Sequence, residues 1–211
     1  MDLIQIAMIV ALVLSVVIHE MAHGYAANWL GDPTARLQGR LSANPLVHID
    51  PLMSVILPGL LILTGSSVLF GAAKPVPYNP YNFTNQKWGE AIVAVAGPLA
   101  NIFIAIVFAI LLRNAEVLAL SDTFIGLSVN IVMLNIFLAL FNLVPIPPLD
   151  GSKILPKFLP FTLAMKYDNF RRFMERNIAL SFAIVIISFM VFLGPIIYSF
   201  TYNLTTTLLG A

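Results

Sequence analysis

Two histidines and a glutamate in His19-Glu20-Met21-Ala22-His23 form the first group in this chain able to do chemistry together. On a helix, positions i and i+4 share a face, so both imidazoles can reach one metal ion. Glu20 projects from the adjacent position, where a carboxylate can take a proton from a water held at the metal. So short a pattern recurs by chance, but its setting sharpens it. The run from Leu3 to Leu30 is otherwise apolar. Ionisable groups in a membrane-length helix are expensive and mark functional sites. A merely cohesive polar cluster would carry roughly several kcal/mol of desolvation with no evident gain.

Catalytic zinc usually takes three protein ligands and a water. The chain has no cysteine, and its remaining histidine, His48, lies outside the apolar runs. A carboxylate is therefore expected as third ligand, with Asp50, Glu90 and Asp150 as the membrane-proximal candidates. Asp150 stands at a sharp helix exit, after Pro145, Pro147 and Pro148 and before Gly151. The prolines stop a helix and the glycine lets the backbone turn closely. Asp50 and Glu90 read more simply as charges at helix N-termini. His48 reads as a loop histidine bonded to Asp50 or to backbone.

The elements that must position these groups follow from composition. The 211 residues are 59% apolar and 10% charged, against about 25% charged in soluble domains. That is too little charge to cover a globular surface, so a single membrane-embedded domain, residues 1–211, is expected. Its core spans about residues 3–155, and an amphipathic stretch and helix occupy 156–211. The net charge of +1 offers nothing to nucleic acid. The N-terminal run has no basic n-region and reads as a retained helix, not a cleaved leader. Five apolar stretches approach the roughly 20 residues a bilayer requires: Leu3–Leu30, Pro51–Phe70, Gly89–Leu112, Phe124–Val144 and Ile178–Phe200. The fold class is thus an all-α polytopic membrane protein, with four to five transmembrane helices, a re-entrant segment and a short extended, β-like region.

Charge sets the orientation. Arg36, Arg40, Lys74 and Lys87 lie between the first and third apolar stretches, and six more cations lie from Lys153 to Arg176. Basic residues concentrate on the cytoplasmic side. Residues 31–88 and 145–177 are therefore expected inside, with the N-terminus and residues 113–123 outside. This requires that Pro51–Phe70, broken by Pro58-Gly59, enter and leave by one face. Such backbone is tolerated at membrane depth only inside protein or beside water. Five complete spans with a weaker charge rule is the alternative.

Between Gly71 and Asn85 the prolines at 75, 77 and 80 forbid a regular helix and favour extended backbone. A helical substrate must unwind before its peptide bonds can be attacked. This segment can pair with the unwound strand by β-augmentation, with Val76, Tyr78 and Asn79 as the substrate-binding residues. Equally, it can be an interfacial loop anchored by Tyr78, Tyr81 and Trp88. Asn101 and Asn135 read as interhelical hydrogen-bonding residues.

The chain resembles the site-2 protease family of intramembrane zinc metalloproteases. The likeness rests on the zinc motif at His19–His23, on Gly97-Pro98-Leu99-Ala100-Asn101, and on Asn142 with prolines ahead of Leu149-Asp150-Gly151. It covers most of residues 10–155. The resemblance implies one zinc ion held by His19, His23 and Asp150. It implies Glu20 as catalytic base and Asn142 as the group that stabilises the oxyanion. The substrates would be transmembrane segments of other proteins, in a prokaryotic cytoplasmic membrane, with the site open to the cytoplasm. No PDZ-like insertion or nucleotide-sensing module is recognisable, and no helix precedes the zinc motif, so a minimal, compact member is expected. Two rivals remain: a zinc-binding protein that retains substrates without cutting them, which leaves Glu20 unexplained, and a metal transporter, which usually shows internal repeats.

Overall fold

The computed structural model describes residues 3–51, 56 and 73–210. Its longer helices are α1 (Leu3–Trp29), α3 (Gly89–Arg113), α4 (Asp122–Asn142), α6 (Phe161–Arg176), α7 (Ile178–Ser188) and α8 (Gly194–Leu209). Short helices α2 (Thr34–Leu37) and α5 (Gly151–Ile154) shape the connections. A π-helical turn, Phe189–Leu193, joins α7 to α8. Among the described residues, four helical stretches are long and apolar enough to cross a membrane: α1, α3, α4 and the continuous Ile178–Leu209. Among the described residues there is no strand. The expected re-entrant Pro51–Phe70 lies almost wholly outside the described residues.

The bundle is built inside out, with small and polar residues inward and large apolar ones outward. On α1 the buried positions Ser15, His19, His23 and Ala27 recur every four residues, one stripe of a helix. Leu3, Ile6, Val10, Leu14 and Ile18 are exposed on its other faces, as a lipid-facing surface requires. The facing stripe of α3 is Gly97, Asn101, Ala105 and Ala109, all buried. On α4 it is Ser128, Val132, Asn135 and Ala139. Small residues let helices approach closely where no hydrophobic effect drives them together. Helix α3 packs between α1 and α4 and runs antiparallel to both. Ala105, Ala109, Val132 and Ile136 close the α3–α4 interface, with Leu208 and Leu209 of α8 against it.

Helix ends are satisfied locally. Ser121 Oγ accepts from Phe124 N at the start of α4. Arg113 donates from Nε to Leu208 O (2.8 Å) and from Nη2 to Thr207 O (3.1 Å), covering carbonyls at the end of α8. Gly210, at φ 79°, closes that helix in the left-handed conformation. At the π turn, Phe189 packs edge-on against Phe137 and Phe141, with ring centroids 5.9 and 5.8 Å away.

Candidate active site

His19 and His23 lie about 9–15 Å from the Trp29 end of α1, at about 1.5 Å per residue. Both are buried. Each ring is fixed through Nδ1: His23 Nδ1 donates to Val93 O at 2.7 Å, and His19 Nδ1 lies 2.6 Å from Asn101 Oδ1. With Nδ1 so occupied, each Nε2 is left facing the cluster, free to serve as a ligand atom. The two Nε2 atoms are 3.0 Å apart, and Asp150 Oδ2 is 3.2 Å from both. The three side chains offer ligand atoms within 4.8 Å of one another.

Two further observations show that this donor set fits a zinc ion. Two imidazoles and a carboxylate are the nitrogen and oxygen ligands zinc takes, with a position left for water. The floor of the cluster is Gly97, where a Cβ would lie 2.5 Å from Nε2 of both histidines. Any larger residue there would fill the space the ligand atoms converge on.

Asp150 arrives by a chain reversal after α4. Ile146 N bonds to Val144 O (2.8 Å) and Leu149 N to Ile146 O (2.9 Å), so residues 143–149 coil tightly. A Cβ at Gly151 would collide with the carbonyls of Leu143 and Val144, so only glycine lets the chain fold back there. Burial works to raise the Asp150 carboxyl, but hydrogen bonds with His19 and His23 outweigh it and hold the group well below the usual carboxylate range.

Behind the histidines runs a polar relay that joins three helices. Asn101 Nδ2 donates to Asn135 Oδ1 (2.9 Å), and Asn135 Nδ2 donates to Ser15 Oγ (3.0 Å) and to Ile131 O (3.0 Å). Asn101 and Asn135 are completely buried. Both form the interhelical hydrogen bond expected of them, and Asn101 also sets the orientation of His19. The signal available was its place in Gly97-Pro98-Leu99-Ala100-Asn101, one turn beyond the glycine that faces His19 and His23.

Of the remaining expected residues, Glu20 accepts from Val76 N through Oε2 at 2.9 Å. This joins it to the extended segment. Tyr78 stacks on Phe83, with centroids 5.7 Å apart, and Lys153 Nζ sits 5.3 Å above the Tyr78 ring. Burial would lower the Lys153 ammonium, but Tyr78, Asp150 and Glu90 outweigh it and raise it above its ordinary value. Asn79 N donates to Asp32 Oδ2 (2.7 Å), and Asn79 Oδ1 caps Tyr81 N (3.1 Å). Asn142 is not joined to the cluster: its amide donates to Leu138 O of its own helix (3.0 Å). His48 is buried, with Nε2 2.8 Å from Ser42 O, a backbone partner as expected. Glu90, in the first turn of α3, pairs with Arg171 instead of approaching the cluster.

Residues 7–188 match the sequence profile of Peptidase family M50. The chain belongs to this family, the site-2 protease family of zinc metalloproteases. It is 37% identical over 159 residues to YwhC of Bacillus subtilis, a protein named as a zinc metalloprotease; the match covers 72% of this chain and 69% of that one. It is 32% identical over 154 residues to Rip2 of Mycolicibacterium smegmatis, named likewise, over 73% of this chain and 58% of that protein. The match thus spans little more than half the length of Rip2. No solved structure matches the chain. M50 membership makes it a zinc metalloprotease, and its four membrane-length helices make it an integral membrane protein.

Proposed function

We propose that this protein is an intramembrane endopeptidase that cuts transmembrane segments of other membrane proteins, with His19, His23 and Asp150 as zinc ligands and Glu20 as general base. The observation that carries the reading is the convergence of His19, His23 and Asp150 above Gly97, at a depth between membrane-length helices. Bound zinc supplies Lewis-acid polarisation and lowers the pKa of water to about 7. Glu20 removes the proton from the attacking water and returns it to the leaving amine. Asn142 is the oxyanion donor; to serve, its amide leaves Leu138 O. A non-cutting zinc binder would have no use for Glu20.

The substrate is a helix whose carbonyls are hidden in its own hydrogen bonds, so it reaches Glu20 only when locally unwound. Val76, Tyr78 and Asn79 border that approach. The backbone donors of Lys74, Val76 and Asn79 are already spent on His48 O, Glu20 and Asp32, and Pro75 and Pro77 have none. Strand addition along this segment therefore leaves the Val76 N–H on Glu20 and pairs the substrate through the remaining backbone groups of the segment. The membrane is a prokaryotic cytoplasmic membrane, and the site opens to the cytoplasm, where the basic residues gather.

The test is cleavage of a panel of membrane-spanning peptides by wild type and Glu20→Gln, with zinc measured in both. Cleavage by wild type alone, with zinc retained in both, supports the reading. An active Glu20→Gln removes Glu20 from its role, and a wild type without zinc removes the ligand assignment.

A further inference from the structure

Arg40 is buried at 8% exposure and sits behind the extended segment. Its Nη1 donates to Val47 O, and its Nη2 donates to Lys74 O (2.7 Å) and Pro75 O (3.3 Å). The Pro75 carbonyl and the Val76 N–H belong to one peptide unit, and that N–H donates to Glu20 Oε2 at 2.9 Å. A single peptide plane therefore lies between a guanidinium on its oxygen and a carboxylate on its hydrogen. A cationic donor on the carbonyl polarises the amide and strengthens the bond its N–H donates.

The plane is also held along the chain. Lys74 N donates to His48 O (2.8 Å) on one side, and Asn79 N to Asp32 Oδ2 (2.7 Å) on the other. Prolines at 75 and 77 restrict the backbone at both neighbours of Val76. Val76 is buried against Gly24 of α1, where a Cβ would lie 3.0 Å from Val76 Cγ1. The segment has little freedom except through Arg40, whose planar fork spans the Val47 and Lys74 carbonyls at once.

We propose that Arg40 is the positioning residue for Glu20, acting through the Pro75–Val76 peptide to hold the carboxylate where it takes the proton from water. This rests on Glu20 being the base, and Glu20→Gln tests that separately. The experiment measures kcat, KM, zinc content and melting temperature for Arg40→Ala, Arg40→Lys, Arg40→Gln and Val76→Pro in the full-length purified protein. Val76→Pro deletes the N–H that carries the effect. Arg40→Ala is expected to lower kcat about 10- to 100-fold, the scale of a small misplacement of a reacting group, with KM and zinc content unchanged. Guanidinium chloride at low millimolar concentration restores part of that kcat. Arg40→Ala added to Val76→Pro lowers kcat no further, since both act on one bond. Should Arg40→Ala fail to fold, Arg40→Lys and Arg40→Gln, one charged and one a neutral hydrogen-bond donor, replace it: the charged variant is expected to keep more kcat at equal melting temperature. Wild-type kcat in Arg40→Ala, losses that simply multiply in the double variant, or equal kcat for the lysine and glutamine variants would each overturn the proposal.

Discussion

The two sides of the active site are built from different materials. On the lipid side, His19 is held by Asn101, Asn135 and Ser15, a neutral relay in which each amide donates to the next side chain. On the loop side, Glu20 is held by a backbone amide that is itself fixed by Arg40 and Asp32, both charged. Charges at membrane depth carry a heavy desolvation cost, and amide groups carry much less. The rigidity a metal site needs is therefore supplied inside the bundle by asparagines and outside it by ions. Disturbing the lipid side is expected to show as lost zinc, and disturbing the loop side as lost turnover or lost stability.

The largest effect belongs to the floor of the cluster. Gly97→Ala places a methyl 2.5 Å from both Nε2 atoms, and α3 cannot retreat without opening its contacts to α1 and α4. Purified Gly97→Ala is expected to contain no stoichiometric zinc and to have no detectable activity while remaining helical by circular dichroism. Full zinc content in this variant would mean that the histidines do not converge above Gly97.

Next comes the relay. Asn101→Leu removes the acceptor from His19 Nδ1 and leaves Asn135 Oδ1 without its donor. Loss of such an outer partner typically weakens metal affinity about 10- to 100-fold, which competition with a chelator would measure. Asn135→Leu acts one step further away and is expected to cost less. Equal zinc affinity in Asn101→Leu and wild type would reduce Asn101 to the interhelical role read from sequence.

These two sites differ in how legible they were. His19, Glu20 and His23 announced themselves because helical spacing fixes which residues share a face, and their polarity stands out against an apolar run. The membrane-length helices were legible for the same reason: Leu3–Trp29, Gly89–Arg113 and Asp122–Asn142 end within a few residues of the apolar stretches, while the fourth starts at Ile178 as expected but runs on to Leu209, past Phe200. Asp150 was favoured over Asp50 and Glu90 by the prolines that stop its helix and the glycine that follows it, and the resemblance implied the same residue, although no periodicity encodes the tight reversal that carries it. The loop side was hidden. Arg40 lies 20 residues beyond Glu20 and reaches it only through a third segment, and charge counting read it as a topology signal. Lys153 was treated likewise, although it lies against Tyr78 near Asp150.

Asp32 sharpens the loop side. It is fully buried and accepts from Thr34 N (3.3 Å), Thr34 Oγ1 (2.5 Å), Asn79 N (2.7 Å) and Asn82 Nδ2 (2.8 Å). Burial works to raise its carboxyl, but the hydrogen bonds from Thr34, Asn82 and Asn79 outweigh it and lower the pKa. A carboxyl lowered in the folded state contributes stability that is present above its unfolded pKa, about 3.9, and is lost as pH falls through the folded value. Asp32→Ala is expected to lose about 1–3 kcal/mol from donors left without an acceptor. Its melting temperature should fall less steeply than that of wild type below about pH 4. Parallel curves for the two proteins would remove Asp32 from the acid-sensitive part of the fold.

The smallest effect is expected at the ion pairs that tie α6 and the turn before it to α3. Arg171 Nη1 lies 2.6 Å from Glu90 Oε1, and Lys157 Nζ lies 3.9 Å from Glu90 Oε2. Asp168 and Glu175 flank Arg171 at 3.6 and 3.9 Å. These groups keep part of their hydration, so the attraction is screened by salt and offset by the order it imposes on long side chains. Arg171→Ala should cost about 1 kcal/mol or less at low ionic strength. The difference should shrink as salt is added, and zinc content and kcat should stay those of wild type. A loss of zinc in this variant would mean that α6 bears on the Asp150 reversal through Glu90. The division between a neutral relay behind His19 and a charged frame around Glu20 would then fail.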